Sequence, residues 1–146
     1  MHKVFVTGAP GWLGNRLVRG LIEGLDDFPD FPKAEKVRCL VLPGFDISYL
    51  KQFSNLEFVE GDVRKPETLQ GATEGCDVVM HCAGIIHPQK KVQEIYDVNT
   101  EGTKNVLAEA LRSGVKRFIL VSSNSPAGVN VSRDQMMIES DPYRPY

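Results

Sequence analysis

MHKVFVTGAPGWLGN, residues 1–15, is the stretch whose reading decides the fold. Val4, Phe5 and Val6 fill both side-chain parities with apolar residues, which suits a strand buried on both faces of a parallel sheet. The run stops at Thr7, and Gly8, Gly11 and Gly14 follow at intervals of three. Without Cβ atoms in the way, backbone N–H groups and the N-terminus of the next helix can face an anion such as a pyrophosphate. A spaced glycine triplet also punctuates ordinary turns, so its meaning comes from the strand before it and the helix after it. Together they predict a dinucleotide site.

Outward from this stretch, composition bounds the answer. A chain of 146 residues is long enough for one domain with a real core and too short for two ordinary ones, so residues 1–146 are read as one unit. Apolar residues at 42% and charged residues at 25% are ordinary for a globular protein and argue against disorder. The formal charge of −2 provides no basic field, and the Lys90-Lys91 pair is too short to supply one, so no nucleic-acid or membrane partner is expected. No apolar run approaches the ~20 residues of a membrane span, and the N-terminus enters a strand directly, which predicts a cytoplasmic protein. Cys39, Cys76 and Cys82 are odd in number, sit in or beside apolar runs and lack metal-ligand spacing. They read as reduced core thiols. His2, His81 and His87 have no acidic or cysteine partner at ligand spacing, so no metal is expected, and His81 reads as a packed imidazole.

Periodicity then gives the element order. Gly14, Leu17, Val18 and Leu21 form one stripe of a first helix. A Pro-containing loop follows, then a strand over Val37–Leu42 ended by Pro43-Gly44. Asp46 opens a short helix, Leu56–Val59 is a third strand, Pro66 starts a short helix, and Asp77–Met80 is a fourth strand. The longest helical signal spans Val92 to Arg112, with Val92, Ile95, Tyr96, Thr103, Val106, Leu107, Ala110 and Leu111 on one stripe. Asn99 projects onto its centre, and a buried amide requires hydrogen-bond partners. Arg117–Val121 is a fifth strand. Alternation of this kind predicts a Rossmann-type, doubly wound parallel sheet of five strands in the order 3-2-1-4-5, between two helical layers.

In such a fold, ligands bind beyond the carboxyl ends of the strands, at the switch point between strands 1 and 4. Five segments converge there: Gly8–Gly14, Leu42–Asp46, Asp62-Val63, His81–Gly84 and Ser122–Ser125. With TGAPGWLG (7–14), GDVRKPETL (61–69), HCAG (81–84), YDVNTEGTKNVLAEA (96–110) and GVKRFILVSS (114–123) in this order, the chain resembles the N-terminal part of an extended short-chain dehydrogenase/reductase of the NAD-dependent epimerase/dehydratase family. VRCLVLPG (37–44) is as similar to the dihydroflavonol-reductase and hydroxysteroid-dehydrogenase-like branch as to the sugar-nucleotide epimerases. The resemblance implies that Gly8, Gly11 and Gly14, with Trp12 and Leu13 between them, cradle the pyrophosphate. It implies that Asp62 and Val63 meet the adenine, that Ala83 and Gly84 lie against the nicotinamide-side ribose, and that Ser122 borders the cofactor. It further implies that Ser123 hydrogen-bonds the reacting substrate oxygen and that Asn99 is the supporting helix asparagine.

Two departures qualify the resemblance. Relatives that use NAD place an acid after strand 2, and those that use NADP often place Arg there. Here Asp46 is the nearest acid and no Arg competes at the strand end, which favours NAD and leaves NADP open. The family's reaction also needs a Tyr followed four residues later by Lys, the phenol acting as acid/base while hydride passes to or from nicotinamide. Tyr143 and Tyr146 are the only tyrosines late enough, and neither has that Lys. The expectation is therefore the cofactor-binding part of an NAD(P)-dependent sugar-nucleotide epimerase/dehydratase or related reductase. It would be inactive alone, meet its small-molecule substrate only in a full-length form, and self-associate as a homodimer. The alternative is a non-enzymatic NAD(P)-sensing or protein-binding module of the same fold.

Overall fold

The computed structural model describes residues 1–86, 91–123, 134 and 138–142; His87, Lys90, Ser125, Tyr143 and Tyr146 lie outside them. The apolar run at the N-terminus forms strand β1 (Lys3–Thr7), with Val4, Phe5 and Val6 almost wholly buried. It is the centre of a five-stranded sheet in the order β3-β2-β1-β4-β5, with β2 at Lys36–Val41, β3 at Leu56–Glu60, β4 at Val78–His81 and β5 at Arg117–Leu120. Every pairing is parallel. Thr7 stands beside Leu40 and His81, Val41 beside Glu60, and His81 beside Leu120. The strands thus end level, and the segments that follow them meet at one edge of the sheet.

Because β1 presents alternate side chains to opposite faces, it feeds two cores. Val4 and Val6 pack with Val18 and Leu21 of helix α1 (Trp12–Glu23) and with Val37, Cys39 and Leu50. Phe5 packs on the other face with Leu40, Leu69, Val79, Val106 and Ala110. Each such fully buried side chain contributes about 2 kcal/mol of transfer free energy, so β1 anchors both layers at once. Short 3₁₀ turns at Leu50–Gln52 and Pro66–Leu69 occupy the places where short helices are expected. All three cysteines are free, and burial pushes the Cys39 thiol up to about 12.

The long helical signal is interrupted. Helix α2 (Val92–Tyr96) passes into a π turn at Asp97–Glu101 and then into helix α3 (Gly102–Arg112). A π turn inserts one extra residue and rotates the rest of the helix away from a uniform 100° projection. The buried face of α3 is accordingly Gly102, Val106, Glu109 and Ala110, whereas Val92, Tyr96, Leu107 and Leu111 of the expected stripe are exposed. Glu109 tolerates burial because Arg112 donates to both its carboxylate oxygens, at 2.8 and 2.9 Å. Asn99, expected inside, is exposed and finds its partners in backbone instead.

Helix α1 reaches the sheet only because Gly14 has no side chain. A Cβ there would lie 2.1 Å from the Gly8 carbonyl oxygen and 2.7 Å from the Ala9 Cα. Both neighbours are backbone and cannot rotate away. Gly14→Ala is expected to lower the free energy of unfolding by about 3 kcal/mol, while Arg16→Ala, on the exposed face of α1, stays within about 0.5 kcal/mol; urea denaturation of the two variants checks this.

Candidate functional site

The level strand ends enclose a cleft of about 410 Å³. Gly8, Pro10 and Gly11 border it from the β1–α1 loop, and Leu42 and Phe45 from the turn after β2. Asp62, Val63 and Arg64 line it after β3, and Cys82 to Ile85 after β4. Glu94 and Val98 close it from the helical layer. Four separated segments of sequence therefore share one cavity with the π turn at its wall.

The floor is backbone. Gly8 has φ +72°, a left-handed conformation, and a Cβ there would stand 2.8 Å from the Ala83 nitrogen. The β1–α1 loop closes through the Gly11 N–H, which donates to the Gly8 carbonyl at 3.0 Å. No side chain caps the start of α1. Its first-turn N–H groups thus remain available to an anion, and the helix dipole favours negative charge at that point. A bare glycine cradle beside an uncapped helix start fits a pyrophosphate.

Asp62, on the far side, is buried and ionised. The Arg64 Nε donates to both carboxylate oxygens at 3.0 Å and its Nη2 donates to Oδ2 at 2.6 Å, while the Arg64 N–H caps Oδ1 at 3.0 Å. This fork holds the Asp62 carboxyl below the usual carboxylate range against the opposing effect of burial. The Thr68 hydroxyl oxygen accepts the Asp62 N–H at 2.9 Å and fixes the turn. Asp62 therefore both caps its own turn and faces the cleft.

Of the residues singled out in the sequence, Gly8, Gly11, Asp62, Val63, Ala83 and Gly84 line the cleft together. Gly14 lies beneath the loop, and Trp12 and Leu13 sit on the first turn of α1, 84% and 41% exposed. Ser122 and Ser123 follow β5 and are exposed. Asp46 does not line the cleft; its Oδ1 accepts the Ser48 N–H at 2.9 Å, and hydrogen bonds from Ser48 keep its carboxyl below the ordinary range. Asn99 grips the Ile85 peptide at both ends, accepting its N–H at 2.8 Å and donating to its carbonyl at 2.9 Å. The sequence did not single out Arg64 or Glu94, whereas Leu42 and Phe45 belong to the Leu42–Asp46 corner expected at the site. Arg64 stands two places after Asp62 in the GDVRKPETL segment, and that spacing was the available signal. Among the described residues, no group of three or more His, Cys, Asp or Glu side chains could hold a metal, and no helix is long and apolar enough to cross a membrane.

The model of the 3-beta hydroxysteroid dehydrogenase/isomerase family matches residues 5–146. The chain belongs to this family. Within the wider grouping it is an extended short-chain dehydrogenase/reductase with the Rossmann-type sheet described above. An uncharacterized protein of Sinorhizobium fredii, y4nL, is 40% identical over 98% of this chain and 40% of its own length. A 3-beta-hydroxysteroid dehydrogenase of Mycolicibacterium neoaurum is 30% identical over 100% of this chain and 37% of its own length. Among solved structures, the dTDP-glucose 4,6-dehydratase DesIV of Streptomyces venezuelae with NAD and TYD bound superposes with a TM-score of 0.81 at 28% identity. That match covers 98% of this chain and 45% of the enzyme. The chain thus spans about two-fifths of the length of the curated relatives it matches.

His81, at the end of β4, is 1% exposed, and burial pushes its imidazole down to about 4. Its ordinary value is near 6.5, so between these values the unfolded chain binds a proton that the folded chain refuses. Stability is then complete above about pH 6.5 and falls as pH drops toward 4. The shifted carboxylates, Glu57, Asp62, Asp77 and Glu109 among them, remain ionised down to pH 5 because their pKa values lie below the ordinary range. Urea denaturation at pH 7 and pH 5 is expected to show a loss of about 2 kcal/mol; a flat profile over this interval would contradict a buried neutral His81.

Proposed function

We propose that the chain is the dinucleotide-binding part of an NAD-dependent oxidoreductase that works at a hydroxyl or carbonyl carbon. The observation that carries this reading is the glycine cradle: backbone packed so closely at Gly8 and Gly14 that only glycine fits, beside a helix start with no side-chain cap. Gly8, Gly11 and Gly14, with the N–H groups of Trp12 and Leu13, hold the pyrophosphate. Asp62 and Val63 take the adenine, and Ala83 and Gly84 take the nicotinamide-side ribose, with Ser122 at its border. Bound NAD supplies a hydride acceptor. Ser123 positions the substrate oxygen, and Asn99 supports the wall through Ile85.

NAD rather than NADP is favoured by the NAD-bound dehydratase that the fold resembles, while Asp46, the acid expected to select it, turns to Ser48 and lends this choice no support. The family match and the hydroxysteroid dehydrogenase relative support a secondary alcohol on an apolar, sterol-like skeleton over a nucleotide sugar. The chain alone turns over no substrate, because the Tyr-x-x-x-Lys pair is not in it. A cytoplasmic site of action belongs to the same reading. So does a homodimer, supported by the exposed apolar residues Ile119, Leu120 and Val121 at the β5 edge.

Energy transfer from the single tryptophan, Trp12, to NADH tests the reading, because Trp12 lies on the first turn of α1. A saturable signal with a dissociation constant on the order of a millimolar or tighter is expected. No saturation at millimolar NADH would oppose the cofactor assignment. Hydride transfer by the chain alone would overturn its inactivity, and a monomeric mass by light scattering at the same protein concentration would remove the homodimer.

A further inference from the structure

Six hydrogen bonds link the Ala83 peptide to the Ile85 peptide, with His81 in the middle and only the Ile85 N–H donating back towards Asn99. The Ala83 N–H donates to Thr7 Oγ1 at 3.1 Å, and Thr7 Oγ1 lies 2.7 Å from His81 Nδ1. On the other side of the ring, His81 Nε2 lies 3.0 Å from Thr103 Oγ1, and the Thr103 hydroxyl donates to the Asn99 carbonyl at 2.7 Å. The Asn99 side chain then grips the Ile85 peptide by its N–H and its carbonyl.

Proton counting assigns the tautomer. Thr103 has one hydroxyl proton and spends it on the Asn99 carbonyl, so the contact with His81 requires Nε2–H as donor. A neutral imidazole with Nε2–H has a bare Nδ1, which accepts the Thr7 hydroxyl proton. Thr7 still accepts the Ala83 N–H with a lone pair. All donors and acceptors on the path are then matched once, which a buried polar network requires.

We infer that His81 is a positioning residue for the cofactor: through Thr7 on one nitrogen and Thr103 with Asn99 on the other, it holds both ends of the Ala83–Ile85 segment that walls the cleft. The inference rests on the dinucleotide reading above and deepens it. The π turn has a part in this arrangement, since it contains Asn99, whose carbonyl accepts from Thr103 while its side chain reaches Ile85. Ala83 and Ile85 lie on the nicotinamide side of the proposed site, away from Asp62 and Val63. Loosening the segment therefore weakens the binding of the nicotinamide half and leaves the adenosine half alone.

Thr7→Val and Thr103→Val remove the two hydroxyls with little change of shape, avoiding the cavity that a His81 truncation would open. Binding of NADH and of AMP to the wild-type chain and both variants is the test. Each variant is expected to weaken NADH about tenfold, with AMP changed less than twofold, because the broken protein–protein hydrogen bonds loosen the wall of the nicotinamide half and leave the adenosine half as it was. Since both hydroxyls act through one ring, the double variant is expected to fall well short of the product of the two single effects. Imidazole ¹⁵N spectra of the wild-type chain are expected to show the Nε2–H tautomer, shifting in both variants. An Nδ1–H tautomer, unchanged NADH binding in Thr103→Val, or equal losses for NADH and AMP would overturn the inference. If the wild-type chain bound no NADH, the dinucleotide reading would fail, and this inference would fall with it as a cofactor device. The imidazole spectra and the Ile85 amide shift in Thr103→Val would then separately confirm or refute the network.

Discussion

With no side chain at Gly14, the first turn of α1 rests directly on the Gly8 peptide, and much else in the molecule depends on that contact. It lets α1 approach close enough for Val18 and Leu21 to enter the core against β1. It also brings an uncapped helix start to the level edge of the sheet. Gly8 in turn lies so close to Cys82 and Ala83 that the end of β4 and the loop after β1 form one floor. Close packing of backbone on backbone thus serves the core and the cleft together, and neither glycine can be replaced without disturbing both.

Electrostatics divides the cleft into unlike ends. The Gly8–Gly14 end is built from backbone and from the positive end of a helix dipole whose first turn has no side-chain cap, which suits an anion. The opposite end holds an ionised Asp62 already matched by Arg64, so that end adds little net charge of its own. Between them, the Ala83–Ile85 wall carries no charged side chain and depends on buried neutral groups for its position. A neutral His81 suits that task, because a charged imidazole there would face no carboxylate among its hydrogen-bonding partners.

Much of this was legible in the sequence, for identifiable reasons. The filled parities of Val4, Phe5 and Val6 marked a strand buried on both faces, and the regular alternation of elements led to the 3-2-1-4-5 order now seen. The motifs carried the family, which matches nearly the whole chain. What periodicity could not carry was the π turn at Asp97–Glu101, because a single inserted residue leaves no mark on composition. That slip turned Leu107 and Leu111 outward, brought Glu109 inward and left Asn99 exposed. Contacts closed through space were equally invisible. Nothing local links His81 to Thr103, and only the fold shows that Arg64 turns back onto Asp62 while Asp46 turns to Ser48.

The central claim is that one edge of this sheet, floored by Gly8 and Gly14, receives a dinucleotide. Titrating NADH into ¹⁵N-labelled chain while following backbone amides tests it most directly. The account predicts the largest shifts at Gly8, Gly11, Trp12 and Leu13, with smaller ones at Val63, Ala83 and Gly84, and none at the opposite ends of the strands around Lys3, Lys36 and Asp77. Shifts concentrated at that opposite edge, or none in the glycine loop at saturation, would contradict it.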